Sequence, residues 1–129
     1  MVQTLLMIDD DEDDREIFTS IVEDAWPAVQ VSFATNGHEG LVSLKNAKAL
    51  PDLIFLDVNM PVMDGRQFMK AIKTDARLRS IPVIILTTSS DRKTTTDFKE
   101  LGAIDFITKP DKYTGWEQML LDFFNNARP

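Results

Sequence analysis

Short apolar runs alternate with stretches of helical periodicity along this chain. The runs are rich in Val, Ile, Leu and Phe and too short for helices, so they predict five strands, at 4–8, 29–34, 53–56, 83–86 and 106–108. Elsewhere, apolar residues recur at spacings of three and four, which predicts five helices, at about 13–25, 38–50, 65–74, 91–101 and 114–124. The pattern is therefore a strand followed by a helix, repeated five times.

Residues with distinctive backbone preferences mark several of these helix ends. Pro51 follows the second helix as a stop, because proline cannot continue a helix. Asp91 is a candidate N-cap of the fourth helix, and Gly102 is a candidate for the left-handed residue just after that helix.

Repeated strand-then-helix units predict an α/β fold, a doubly wound parallel sheet with helices on both faces. The continuous apolar run at 83–86 supports this, because parallel strands are buried on both sides. Right-handed crossovers leave few topologies, and we expect the flavodoxin-like strand order 2-1-3-4-5. No linker or low-complexity segment interrupts the chain, so we expect a single domain over residues 1–129, with no effector domain.

Composition narrows the class of protein further. No apolar run approaches the roughly 20 residues that span a bilayer, so we expect no membrane insertion. The first ten residues have no basic region and run directly into acids, unlike a signal peptide. No cysteine is present, which excludes disulfides and fits a cytoplasmic, reducing location. A net charge of −7 argues against nucleic acid as a direct partner, because Lys and Arg must neutralise phosphates.

Polar side chains follow four of the predicted strands at the point where each strand ends. Asp9 and Asp10 follow the first strand, Asp57 the third, Thr87 the fourth and Lys109 the fifth. The carboxyl ends of parallel strands lie along one edge of a sheet, so we expect these side chains to converge. Three carboxylates, a hydroxyl and an ammonium suggest a site for a divalent metal and a phosphoryl group.

Each of these residues also has an ordinary structural explanation. The acids from Asp11 to Asp14 are better explained as stabilisers of the first helix dipole than as ligands. Taken singly, the strand-end residues fit caps, a loop acid, a backbone-bonded hydroxyl or a turn before Pro110. Their joint occurrence at four strand ends favours a functional site.

Four sequence blocks resemble the receiver domains of bacterial response regulators, in the order and spacing of that family. They are LLMIDDDEDDREIF, LIFLDVNMPVMDGRQF, IPVIILTTSS and LGAIDFITKP, and the resemblance covers nearly the whole chain. The KTDARLRSIPVIILTTSS stretch and the C-terminal FF pair are similar to stand-alone receivers that accompany hybrid or phytochrome-type histidine kinases.

The resemblance implies a phosphoacceptor switch in two-component signalling, not an enzyme with an external substrate. Asp57 would accept a phosphoryl group from a kinase histidine or a small-molecule donor, with Lys109 and Thr87 contacting the phosphoryl oxygens. A Mg²⁺ cofactor would have Asp10, Asp57 and the Asn59 backbone carbonyl as direct ligands and Asp9 as a ligand through water. Expected partners are a sensor histidine kinase or histidine phosphotransfer protein, a downstream protein target, and a second copy of the chain after phosphorylation.

The chain departs from the family pattern at two positions, and other functions stay open. Receivers usually have a small residue where this chain has Thr88, and Phe106 lacks the phenolic hydroxyl often present at that position. One alternative is a phosphatase or phosphotransferase with an Asp nucleophile, although such enzymes place a second Asp where this chain has Asn59. Others are an unphosphorylated scaffold receiver and a flavodoxin-like nucleotide binder, which would need a glycine-rich loop after the first strand.

Overall fold

Strands and helices alternate along the residues that the computed structural model describes, which are 2–58, 63–88, 92–110 and 113–125. Within these ranges the five strands are β1 (Thr4–Ile8), β2 (Gln30–Ala34), β3 (Leu53–Asp57), β4 (Val83–Thr87) and β5 (Asp105–Thr108). The five helices there are α1 (Glu12–Ala25), α2 (Gly37–Asn46), α3 (Gly65–Lys73), α4 (Arg92–Glu100) and α5 (Tyr113–Asn125). Every predicted strand and helix is present, and most ends agree within two residues.

All strand pairs are parallel, and their order is β2-β1-β3-β4-β5. The predicted flavodoxin-like order 2-1-3-4-5 is confirmed. The register aligns the strand ends, because Asp57 pairs with Leu86 and Thr87 pairs with Thr108. None of the described helices is long and apolar enough to cross a membrane.

Two apolar layers cover the sheet, one on each face. Successive residues of β1, β3 and β4 alternate between the layers, as the two-residue period of a strand requires. One layer contains residues of α2, α3 and α4, and the other contains residues of α1 and α5. β2 lies at the edge of the sheet and is mostly exposed. The two layers explain why the central strands are uninterrupted apolar runs.

Local chemistry fixes several helix ends. The side chains of Asp11, Asn36 and Asp64 accept hydrogen bonds from backbone N–H groups in the first turns of α1, α2 and α3. Gly102 has a φ of +102°, and the N–H of the next residue, Ala103, donates to the Phe98 carbonyl of α4. The predicted left-handed glycine after α4 is therefore confirmed. The predicted Asp91 N-cap lies outside the described residues.

The predicted end of α2 is wrong. The pattern extended this helix to about residue 50, before Pro51, but the helix ends at Asn46 and Ala47 is extended. The guanidinium of Arg77, from the loop before β4, donates to the carbonyls of Leu44, Lys45 and Ala47. This tertiary contact satisfies the carbonyls at the end of α2, which would otherwise accept from backbone N–H groups of a longer helix.

Candidate functional site

Three carboxylates meet at the carboxyl end of the sheet. Asp9 and Asp10 follow β1, and Asp57 is the last residue of the neighbouring β3. One oxygen from each residue lies within 4.8 Å of the others, so the three could share one ion. Asp9 and Asp57 are buried, whereas Asp10 is exposed and faces solvent.

The donor set fits a hard divalent cation. Carboxylate oxygens are the side-chain ligands that Mg²⁺ prefers, and Mg²⁺ usually keeps several waters, which the exposure of Asp10 allows. Asp9 Oδ2 is fully buried, so its charge needs a neighbouring cation. Lys109 Nζ lies 2.8 Å from it and forms an ion pair with it. The predicted Asn59 ligand lies outside the described residues.

Lys109 lies among carboxylates at the end of β5. Its Nζ is 2.8 Å from Asp9 Oδ2, 2.9 Å from Asp14 Oδ2 and 3.7 Å from Asp57 Oδ2. Its side chain is only 7% exposed, so water screens these interactions weakly. The Lys109 N–H also donates to the Thr87 carbonyl over 2.7 Å, which fixes the backbone of Lys109 beside the end of β4.

Burial and charge shift the pKa values of two groups in this pocket. Burial lowers the pKa of Lys109, but hydrogen bonds to Asp9 and Asp14 and the charge of Asp57 outweigh it and hold the pKa above its ordinary value. Lys109 is therefore cationic at neutral pH. Burial raises the pKa of Asp9, against the opposing effects of Lys109 and the Asp11 N–H. A nearby divalent cation would favour the charged form of Asp9.

The hydroxyl-bearing Thr87 ends β4 and is fully buried, level with Thr108 of β5. The next residue, Thr88, is exposed. Phe106 is half-buried and packs against the apolar layer that contains α2, α3 and α4. These placements put a buried hydroxyl and a partly exposed ring on adjacent strands.

Gly65 brings α3 and α4 close to the end of β3. A Cβ on Gly65 would lie 2.9 Å from the Val58 Cα, 3.2 Å from the Phe98 ring of α4 and 3.4 Å from the Asp57 carbonyl. Only a glycine allows this approach without a shift of the backbone of Val58. The start of α3 and the buried ring of Phe98 therefore pack directly beside the segment that carries Asp57.

One member of the pocket was missed by the sequence interpretation, which assigned Asp11 to Asp14 to the dipole of α1. That interpretation suits Asp11, whose carboxylate accepts from the Asp14 N–H. It is incomplete for Asp14, whose own carboxylate accepts from Lys109 Nζ. No local signal marked this contact, because Lys109 lies 95 residues further along the chain.

The chain belongs to the response regulator receiver domain family, whose family model matches residues 5–119. It is 34% identical over 111 residues to the sensor histidine kinase CheAY of Helicobacter pylori, covering 86% of this chain and 13% of that protein. It is 32% identical over 117 residues to the probable C4-dicarboxylate response regulator DctR of Priestia megaterium, covering 91% of this chain and 50% of that protein. The chain thus spans half or less of these relatives.

Solved receiver structures share the fold over the whole chain. Chemotaxis protein CheY4 of Vibrio cholerae has a TM-score of 0.82 and 28% identity, covering 99% of this chain and 100% of that one. A phosphorylated cyanobacterial phytochrome response regulator, RcpA, has a TM-score of 0.89, covering 100% of this chain and 98% of that one. Its 24% identity supports the fold alone.

These comparisons confirm the resemblance seen in the sequence blocks. The protein is a receiver domain of two-component signalling, the class whose members act as phosphoacceptor switches. The phosphatase and scaffold alternatives gain no support from them. The pocket at the carboxyl end of the sheet is the part of this receiver that can carry the chemistry.

Proposed function

We propose that Asp57 is the phosphoacceptor of this receiver. The observation that carries the proposal is the convergence of Asp57 with two other carboxylates and with the Lys109 ammonium at the ends of parallel strands. A carboxylate that attacks a phosphoryl group meets a group that is itself negative, so catalysis depends on position and neutralising charge. The pocket supplies both.

The proposed reaction is a direct phosphoryl transfer. An Asp57 carboxylate oxygen attacks phosphorus while the bond from phosphorus to the donor breaks, and the bonding electron pair stays with the donor. The donor is a histidine of a sensor kinase or of a histidine phosphotransfer protein, or a small acyl phosphate that leaves as its carboxylate. Dephosphorylation follows when water attacks the same phosphorus and releases inorganic phosphate, which restores the Asp57 carboxylate.

Mg²⁺ is the proposed cofactor of this site. Asp10 and Asp57 would hold it directly and Asp9 through water, and the backbone carbonyl of Asn59 is proposed as the third protein ligand. When bound, the ion neutralises negative charge on the phosphoryl oxygens. The three carboxylates within reach of one ion and the full burial of Asp9 Oδ2 support this assignment.

The remaining residues are proposed to stabilise the phosphorylated state. Lys109 gives a phosphoryl oxygen a charged donor, and the Thr87 hydroxyl donates to another. The phosphorylated chain then acts through its α4, β5 and α5 surface on a downstream protein or on a second copy, or it passes the phosphoryl group to a histidine phosphotransfer protein. We place this activity in the cytoplasm, where such kinases present their histidines.

Intact mass spectrometry tests the proposal. After incubation with acetyl phosphate and Mg²⁺, we expect the wild-type protein to gain one phosphoryl group, stable in acid and labile in base. Chelation of Mg²⁺ should prevent the gain, and Asp57→Asn should abolish it. Asp24→Asn, at an exposed acid near the end of α1, is the matched control and should be phosphorylated like wild type. Equal modification of Asp57→Asn and wild type would refute the assignment.

A further inference from the structure

The Lys109 ammonium is shared unequally among its three carboxylate neighbours. It is within hydrogen-bond distance of Asp14, at 2.9 Å, and close to Asp9, at 2.8 Å. Its distance to Asp57 Oδ2 is 3.7 Å, which is too long for a hydrogen bond. The ion pair with the proposed nucleophile is therefore the longest of the three, and it lacks a hydrogen bond.

The position of Asp14 is fixed by a closed ring of contacts at the start of α1. Asp9 Oδ1 accepts from the Asp11 N–H over 3.0 Å, and Asp11 Oδ1 accepts from the Asp14 N–H over 3.1 Å. The Asp14 carboxylate binds Lys109 Nζ, which returns to Asp9 Oδ2. Because Asp14 belongs to the first turn of a capped helix, the start of α1 fixes the position from which it contacts Lys109.

The distance from Lys109 to Asp57 has a chemical consequence. A buried ammonium in direct contact with the Asp57 carboxylate would form a charge-assisted pair at about 2.8 Å. That pair would lower the nucleophilicity of the carboxylate and compete with a divalent cation for the same oxygens. An ammonium has three N–H donors, so pairing with Asp14 and Asp9 leaves one for an incoming phosphoryl oxygen.

We propose that Asp14 is a positioning residue that holds Lys109 off Asp57 in the unphosphorylated protein. This inference rests on the proposed function of Asp57 and deepens it. Asp14 keeps the Asp57 carboxylate accessible to Mg²⁺ and to phosphorus, and it presents the remaining Lys109 donor to the phosphoryl group. Without the Asp14 charge, the ammonium moves toward Asp57 and pairs with it.

A structure of metal-free Asp14→Asn tests the position of Lys109 directly. We expect the distance from Lys109 Nζ to Asp57 Oδ2 to fall from 3.7 Å into the hydrogen-bond range, below about 3.2 Å. Asp13→Asn is the matched control, since it removes the same charge from an exposed neighbour in the same turn. An unmoved Lys109 in Asp14→Asn would overturn the inference.

Mg²⁺ affinity in a double-mutant cycle tests whether Asp14 acts through Lys109. We expect Asp14→Asn to weaken Mg²⁺ binding about tenfold, and Asp13→Asn less than about twofold. In a Lys109→Ala background, Asp14→Asn should have no greater effect than Asp13→Asn. Asp14→Glu, which keeps the carboxylate, should bind Mg²⁺ nearly as well as wild type. An equal loss with and without Lys109 would mean that Asp14 acts only as a general negative charge, against the inference.

Both measurements are made before any phosphoryl donor is added. A protein that meets them but never gains a phosphoryl group would refute the proposed function and leave the position of Lys109 explained. A wild-type protein that is phosphorylated on Asp57, with Lys109 unmoved in Asp14→Asn, would refute only the inference about Asp14.

Discussion

Two consecutive aspartates, Asp9 and Asp10, have different environments because the strand ends between two helical layers. Asp9 points into the pocket and is fully buried, with one oxygen accepting from the Asp11 N–H and the other beside Lys109. Asp10 is exposed and has room for water around it. The same residue type is therefore an oriented, buried charge at one position and an exposed carboxylate, our proposed metal ligand, at the next.

The main pocket residues could be predicted because they end strands, and the carboxyl ends of parallel strands meet. Asp14 could not be assigned in the same way. An acid in the first turn of a helix has a sufficient local explanation in the helix dipole, and its contact with Lys109 joins positions 95 residues apart. Only the tertiary structure distinguishes the two roles.

We predict that substitution of a proposed metal ligand impairs Mg²⁺ binding, whereas substitution of a proposed phosphoryl contact impairs phosphorylation. Asp10→Asn should weaken Mg²⁺ binding by at least about tenfold and reduce phosphorylation with it. Lys109→Ala should leave Mg²⁺ binding largely intact, because Lys109 is not a ligand, while impairing phosphorylation or the conformational response to it. Isothermal titration with Mg²⁺ and phosphorylation rates on both variants check this. A Lys109→Ala protein that cannot bind Mg²⁺ would contradict it.

At the scale of the elements, local patterns give the strands and helices well, and tertiary contacts decide where some of them end. The Gly102 terminus of α4 was predictable, because a left-handed residue after a helix is usually glycine. The end of α2 could not be predicted. Pro51 is a local stop signal, but the helix ends earlier, where Arg77 of a distant loop donates to its last carbonyls. Sequence periodicity carries no information about such a donor.

The role of Arg77 predicts a specific loss of stability. Arg77→Ala leaves the last carbonyls of α2 without their guanidinium donor, so we expect the free energy of unfolding to fall by about 1 to 2 kcal/mol. Urea denaturation monitored by circular dichroism measures it. Arg79→Ala is the control, because Arg79 is an exposed arginine of the same loop like Arg77, but only the Arg77 guanidinium bonds α2 carbonyls among the described residues. Equal stability of Arg77→Ala and Arg79→Ala would rule out a capping role.

For the whole molecule, the two apolar layers could be predicted from the apolar strands, and with them the topology. The contacts that could carry a signal away from Asp57 could not, because they depend on tertiary packing. The start of α3 and the Phe98 ring of α4 pack beside the end of β3 through Gly65. Arg66 of α3 lies over the Phe98 ring and pairs with Asp97 at 3.1 Å, which links α3 to α4. A change at Asp57 therefore has direct packing contacts toward α4.

We predict that phosphorylation changes the surface formed by α4, β5 and α5. A phosphoryl group on Asp57 should draw the Thr87 hydroxyl inward, and the vacated volume can admit the Phe106 ring, which biases a two-state packing equilibrium. Amide chemical shifts with and without a beryllofluoride phosphate mimic measure this, with Asp57→Asn as the control. We expect changes through residues 92–110 and into α5. Changes confined to the Asp57 pocket would favour a phosphate shuttle over a switch.

Chemical location of the phosphoryl group tests directly whether Asp57 is the phosphoacceptor. Borohydride reduces an acyl phosphate on aspartate to homoserine, and this product survives proteolysis and peptide mass spectrometry. After phosphorylation with acetyl phosphate and Mg²⁺, we expect homoserine at position 57, with Asp9, Asp10 and Asp14 unmodified. Homoserine at any of those other aspartates, with Asp57 unmodified, would contradict it.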